Sequence, residues 1–281
     1  MDISKGVLTV LSLSRVLLST IHENYSNRRL IWDLIKRDFR MRYLGSAIGS
    51  YWNFIHPLAM ISIYTIIFSR VMKVRLGGQQ SSAFDFTIYL CAGQLPWLAF
   101  QEMVQRGSNQ FFENANFIKK IAFPKEIIQT ITTGSSAITL IISLTFYILL
   151  LLISGHGLSW NILFLPLLLL MQMLFASGLG VALGVFNVFL RDVQQILNII
   201  FQIWFWITPI VYSIKLVDEK YHKFFLLNPI FPFVASYQKI FVDKSFPDTN
   251  HILICAILSI SSYFFGYFIL QKLKDQIADE L

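Results

Sequence analysis

The sequence predicts an all-α integral membrane protein, with six transmembrane helices preceded by an amphipathic interfacial helix. Three observations carry that prediction. Between Ile127 and Ser213 the only Asp, Glu, Lys or Arg side chains are the neighbours Arg191 and Asp192. A soluble fold needs charge on its exposed faces every few turns, whereas a hydrocarbon solvent penalises each charge at a span's centre by about 2.5–3.5 kcal/mol. The 281-residue chain is 55% apolar and 14% charged, with a mean hydropathy of +0.60, far from soluble composition. Its apolar residues also fall in runs of the ~20 that a spanning helix requires.

Taken from the start, residues 6–21 have the apolar content of a secretion signal. Arg15 interrupts the run and no small-residue cleavage site follows, so the segment reads as a retained amphipathic helix. Val7, Val10, Leu11, Leu17, Leu18 and Ile21 share its apolar face. A second amphipathic helix runs from Arg28 to Tyr43. Leu30, Ile31, Leu34, Ile35 and Phe39 form its stripe, opposite Arg29, Asp33, Lys36, Arg37 and Arg40. Such a helix suits the cytoplasmic headgroup layer, either as a topology anchor or as a collar that also touches a cytoplasmic partner.

Six spans follow, at Ala47–Val71, Phe84–Gln105, Ile127–Ile153, Asn161–Leu190, Ile196–Ile214 and Ile252–Leu270. With the N-terminus inside, cytoplasmic segments hold 15 Lys and Arg against 8 outside. That split places both termini in the cytoplasm. The net charge of +7 is therefore explained by span ends and lipid headgroups rather than by nucleic acid. Cys91 and Cys255 lie within spans, so neither a disulfide framework nor a Cys/His metal spacing is indicated.

The spans are poor in the acidic and histidine groups that proton- or sodium-coupled transport uses. Glu102 lies one helical turn before Arg106, a spacing that allows a local ion pair or a mechanistic role. His56, beside Pro57, reads as a hydrogen-bonded structural histidine. There is no Gly-rich phosphate loop, nucleophile elbow or zinc-protease motif. Energy for uphill transport must then come from another polypeptide.

Aromatic residues make up 15% of the chain. Tyr51, Trp52, Phe54, Tyr64 and Phe68 lie in the first span, and Phe201, Trp204, Phe205, Trp206 and Tyr212 in the fifth. Interfacial anchoring is one reading. The mid-span position of Trp204 and Trp206 leaves room for another, a surface on which sugar rings stack by their apolar C–H edges. Ala176, Gly180 and Gly184 form a small-residue ridge for close helix packing, within one subunit or between two. Ser108 to Glu126 is basic yet carries Phe111, Phe112, Phe117, Ile118, Ile121 and Phe123. So many apolar groups need a bilayer surface or a protein cleft. Lys215 to Asn250, with its Asn228-Pro229 turn, suits two short helices that dip back into the outer leaflet, or an interfacial hairpin.

Four groups of residues, taken in order, carry a resemblance. They are Arg42-Tyr43 with Ser46, Gly49, Trp52 and Pro57; Leu95-Pro96-Trp97 with Asn114, Asn116, Lys119-Lys120 and Phe123-Pro124; Asn187, Arg191-Asp192, Thr208-Pro209-Ile210 and Tyr212; and Leu227-Asn228-Pro229. In this order the chain resembles the membrane subunit of ABC transporters that export cell-surface polysaccharides, namely the O-antigen, teichoic-acid and capsule permeases. The resemblance implies one transmembrane domain over residues 1–281, comprising a cytoplasmic amphipathic segment (1–46), the six-span region (47–271) and a cytoplasmic tail (272–281). It implies a homodimer in the cytoplasmic membrane with a pore at or near the dimer interface. Two cytoplasmic ATPase subunits would hold ATP and Mg, while this chain holds no cofactor or metal.

The roles it implies are specific. Residues 108–126 form a cytoplasmic coupling helix, with Asn114, Asn116, Phe117, Lys119, Lys120, Phe123 and Pro124 facing the ATPases. Re-entrant outward helices form a gate at Phe224, Phe225, Asn228, Pro229 and Phe231. Tyr51, Trp52, Phe54, Tyr64, Phe201, Trp204, Phe205 and Tyr212 line the substrate conduit. Arg29, Lys36, Arg37, Arg40 and Arg42 form a collar for a lipid diphosphate. The expected cargo is a polyprenyl-pyrophosphate-linked glycan, O-antigen first, with teichoic acid or capsule as alternatives. A small-molecule exporter of the same architecture, or a membrane enzyme acting on polyprenyl substrates, are the competing readings.

Overall fold

The computed structural model describes residues 22–42, 45–67, 83–115, 126–214 and 217–280. Among these residues there is no strand. The helices are α1 (Arg28–Met41), α2 (Trp52–Tyr64), α3 (Ala83–Glu113), α4 (Glu126–Ile153), α5 (Leu165–Phe189), α6 (Val193–Ile207), α7 (Glu219–Phe225), α8 (Phe231–Phe241) and α9 (Thr249–Glu280). The expected amphipathic helix over residues 6–21 lies outside the described residues.

Among the described residues three helical segments are long and apolar enough to cross a membrane, Ile127–Ile153, Trp160–Phe189 and Thr249–Leu273. They match the third, fourth and sixth expected spans. The remaining expectations need adjustment. The fifth stretch is helical only to Ile207, because the following Thr208 is extended and Pro209 has no N–H to continue the ladder. Apolar residues carry on to Ile214, so hydropathy alone overran the helix. The second stretch belongs to a helix of 31 residues, about 46 Å at ~1.5 Å per residue. That helix continues past Gln105 through Ser108 to Glu113. In the first stretch α2 ends at Tyr64 and passes into a π turn over residues 65–67.

α5 and α9 form the closest pair. Ser259 Oγ donates to Met171 O at 2.6 Å, and Ser262 Oγ to Phe175 O at 2.9 Å. A side chain at Gly178 would sit 2.1 Å from the Ser262 carbonyl oxygen, and one at Gly266 2.2 Å from the Gly178 oxygen. The absent Cβ atoms let the two backbones touch. The Gly180–Gly184 part of the expected ridge packs within the subunit, Gly180 against the Gln129 amide and Gly184 against Gly107 and Phe111.

α3 lies across α5, α4 and α8. Its buried face carries Trp97, Phe100 and Met103 into the main core with Tyr147, Phe233 and Tyr237. α8 is almost wholly buried in that core. α1 packs Ile31 and Ile35 on Ile127, and Asn53 Nδ2 of α2 donates to Phe39 O at 3.1 Å. The α1 end of the bundle and the opposite end, where α7 and α8 lie, serve below as its two poles.

Candidate functional site

A groove of about 340 Å³ runs between α3 and α6. Its polar wall consists of five amides, Gln94, Gln101 and Gln105 on α3 with Asn198 and Gln202 on α6. The α3 glutamines are spaced by seven and four residues, so they share one helical face. Asn198 and Gln202 are one turn apart on the facing helix. Gln105 Nε2 donates to Asn198 Oδ1 at 3.0 Å and closes the α1 end. Trp97, Phe201 and Phe205 supply the apolar wall.

These rings belong to a wider cluster. Trp97 meets Phe201, Trp204 and Phe205 at centroid distances of 6.1, 5.9 and 6.0 Å. Phe201 stacks on Trp204 at 5.9 Å, and Phe100 on Phe175 at 5.4 Å. Edge and offset contacts of this kind hold ring positions. Three of the predicted conduit rings, Phe201, Trp204 and Phe205, are therefore brought together. Tyr51, Trp52 and Phe54 join no ring contact among the described residues. Tyr51 and Phe54 are exposed, Trp52 donates to Ser46 Oγ at 3.0 Å, and Tyr64 is half-buried. Tyr212 donates to the Trp206 and Ile207 carbonyls.

At the far end of α6 the chain breaks around one amide. Asn228 Oδ1 accepts from Trp204 Nε1 at 2.6 Å and from the Ile230 N–H at 3.2 Å. Its Nδ2 donates to Thr208 Oγ1 at 2.9 Å, which donates to Trp204 O at 2.8 Å. The carbonyl of Pro209 accepts from Tyr89 at 3.0 Å and from Gln238 at 3.1 Å. Of the predicted gate residues, Asn228 and Phe231 are thus buried at this joint, Pro229 and Phe225 are half-buried, and Phe224 is exposed. Behind it lies a cavity of about 480 Å³. Its rim carries Gln238, Lys239, Asp243, Asp248 and His251. Lys239 pairs with Asp248.

At the α1 end, four charges meet. Arg42 bonds Glu102 at 2.7 Å, and Arg106 bonds both oxygens of Asp38 at 2.8 Å. Ser135, Ser136 and Thr139 of α4 accept from Arg42, and Ser136 donates to Glu102 at 2.9 Å. The network ties α1 and the residue after it to α3 and α4. Glu102 and Arg106 do approach one another, at 3.8 Å, but the shorter contacts are to α1 and its C-cap. Arg42 thus turns inward. Arg29, Lys36, Arg37 and Arg40 remain exposed, with Lys36 held to Asp33 at 2.7 Å. Asn114 closes α3, donating to Gln110 O at 2.8 Å. The remaining predicted coupling residues, Asn116, Phe117, Lys119, Lys120, Phe123 and Pro124, lie outside the described residues. His56 departs from expectation. It is exposed on α2 and makes no hydrogen bond among the described residues, because Pro57 rather than His56 faces inward.

The sequence reading missed the amide groove. The signal was present as glutamine recurring at helical period inside an apolar run, which hydropathy registers only as lost apolarity.

Among the described residues the chain is helical, with three apolar spans and a polar groove between α3 and α6, the build of a multi-pass membrane protein. The chain belongs to the ABC-2 type transporter family, which it matches over residues 29–242. It is similar to the O-antigen export system permease protein RfbA of Myxococcus xanthus, with 26% identity over 267 residues covering 94% of this chain and 100% of that one. A Klebsiella pneumoniae protein of the same name is 26% identical over 261 residues, 91% and 97% of the two chains. The polysialic acid transport protein KpsM of Escherichia coli is 24% identical over 200 residues, 70% and 75%.

Proposed function

We propose that this chain is the permease subunit of an ATP-driven exporter that carries polysaccharide across the cytoplasmic membrane, with O-antigen as the first candidate cargo. The observation that carries the reading is the groove between α3 and α6. Amides donate and accept hydrogen bonds as sugar hydroxyls do, and the half-buried Phe205 offers an apolar face to the C–H edges of sugars, with Trp97 and Phe201 packed behind it. Five amides gathered along one groove of a membrane bundle are costly to leave against lipid. The names of relatives aligned over nearly the whole chain support the same conclusion. Capsule export is the second reading, supported by the shorter match to a polysialic acid transporter.

In this scheme two copies of the chain work with two cytoplasmic ATPases, which hold ATP and Mg. Both termini lie in the cytoplasm, so the α1 pole faces the ATPases. The glycan arrives on a polyprenyl pyrophosphate, and the exposed Arg29, Lys36, Arg37 and Arg40 attract the diphosphate. ATPase closure presses on the connection after α3. The Asp38–Arg106 and Arg42–Glu102 pairs carry that movement jointly to α1, α3 and α4. The Asn228 joint yields at the opposite pole. Nucleotide biases the conduit because its bound form favours one of the two arrangements.

Deletion of the gene should abolish surface polysaccharide while its lipid-linked precursor accumulates on the cytoplasmic side. The chain purified from membranes should bring an ATPase with it. Surface polysaccharide undiminished by the deletion would reject the proposal.

A further inference from the structure

If the groove carries glycan, as proposed, its chemistry also selects the charge of that glycan. The five amides that line it offer donors and acceptors without net charge, and its other lining residues are apolar. The side-chain amides of Gln101, half-buried, and Gln202, exposed, make no hydrogen bond among the described residues, so their donors and acceptors are open to a ligand. Of the arginines at the α1 pole, Arg42 and Arg106 are answered by Asp38 and Glu102, and the exposed Arg29, Arg37 and Arg40 lie outside the groove. At the opposite pole the cavity holds one lysine against two aspartates, and Lys239 is taken by Asp248. Asp243 has no ion pair among the described residues, which leaves that cavity with an acidic excess.

A glycan bearing carboxylates or phosphates repeats its charge along its length. Each such charge would leave water for amide dipoles and rings with no counter-charge, then meet like charge in the outer cavity. The hydroxyls of a neutral chain meet neither obstacle, and the diphosphate at its lipid end brings charge once rather than at every repeat. We infer that this permease passes an uncharged polysaccharide, and that Gln101 and Gln202 set the preference by keeping the groove neutral yet hydrogen-bonding.

The test uses the full-length chain with its ATPase in nanodiscs. It is titrated with a neutral glucose oligomer and with a galacturonic acid oligomer of equal length, read by calorimetry and tryptophan fluorescence. The neutral oligomer should bind at least tenfold more tightly. Gln101→Lys and Gln202→Lys should each narrow or invert that ratio, and the gain for the acidic oligomer should fade with added salt. Gln202→Glu should widen it, and it serves as the second variant if a lysine substitution prevents folding. Equal or tighter binding of the acidic oligomer by the wild type overturns the inference while leaving polysaccharide export standing. An unchanged ratio in all three variants does the same. Failure of both oligomers to bind sinks the groove as a glycan path and this inference with it, while export itself stands or falls by the gene deletion.

Discussion

At the scale of single residues, Asn228 ties three parts of the far half of the bundle together. Its oxygen accepts from Trp204 Nε1 and the Ile230 N–H, and its nitrogen donates to Thr208. Asn228 is buried, and so is Thr208. Removing a partner from a buried donor costs about 1–3 kcal/mol because that donor is left dry and unpaired. Asn228→Ala strands the indole N–H of Trp204 and removes the tie between the turn before α8 and the end of α6. We expect it to lower the thermal stability of the solubilised protein by an amount in that range. Thr208→Val should cost less, since Trp204 keeps its acceptor. Melting curves of the two variants in one detergent check this, and an Asn228→Ala protein as stable as wild type would show that the joint is not held by this amide.

At the scale of elements, the α5–α9 pair shows how little freedom the packing leaves. The Cβ that any other residue would add at Gly178 meets main-chain atoms of Ser262 and Tyr263 at 2.1–2.4 Å. Backbone cannot swing aside as a flexible side chain can, so the helices must separate along the strongest contact in the bundle. Overpacking in cores costs about 1–3 kcal/mol and occasionally more. Gly178→Val should reach or exceed the top of that range, visible as loss of folded protein in fluorescence-detected size exclusion. Gly134→Ala should be mild, because there the new methyl meets only the Ile35 side-chain tip at 2.6 Å.

The same elements explain what the sequence displayed and what it hid. Long uncharged runs made the segments around α4, α5 and α9 readable, since a hydrocarbon solvent writes itself directly into composition. The amphipathic stripe of α1 was readable for a similar reason, with Ile31 and Ile35 buried where the periodicity placed them. The end of α6 was not, because hydropathy does not register that Pro209 ends a hydrogen-bonded ladder. Nor was the ionic network. Glu102 and Arg106 are four apart, so the local pair was visible in sequence. Asp38 and Arg42 reach them across separations that only the fold supplies. The close approach at Gly178 and Gly266 was hidden likewise, since the ridge read from the sequence faces α3 and α4.

At the scale of the whole molecule, the groove poses a problem that one copy of the chain does not solve. Gln202 is exposed, and beside it on α6 lie Ile199, Ile203 and Trp206, 61%, 56% and 62% exposed. Lipid accepts the isoleucines without penalty. It does not accept the open amides of Gln101 and Gln202, whose hydrogen bonds it cannot replace. Water held inside an assembly can. A second copy related by a two-fold axis closes such an opening with its own matching surface, and residues near the axis then meet their own counterparts. Cysteines placed singly at Ile199, Ile203 or Ile207 should therefore cross-link between copies when membranes are oxidised. The native Cys91 and Cys255 are buried, so the wild-type chain should stay monomeric on a non-reducing gel and supply a clean background. Ile257→Cys, as exposed as Ile199 but on α9, should not link. Cross-linking at Ile257 with none at the three α6 positions would put the contact on another face. The amides would then lie open to lipid, and the glycan path would have to be sought elsewhere in the bundle.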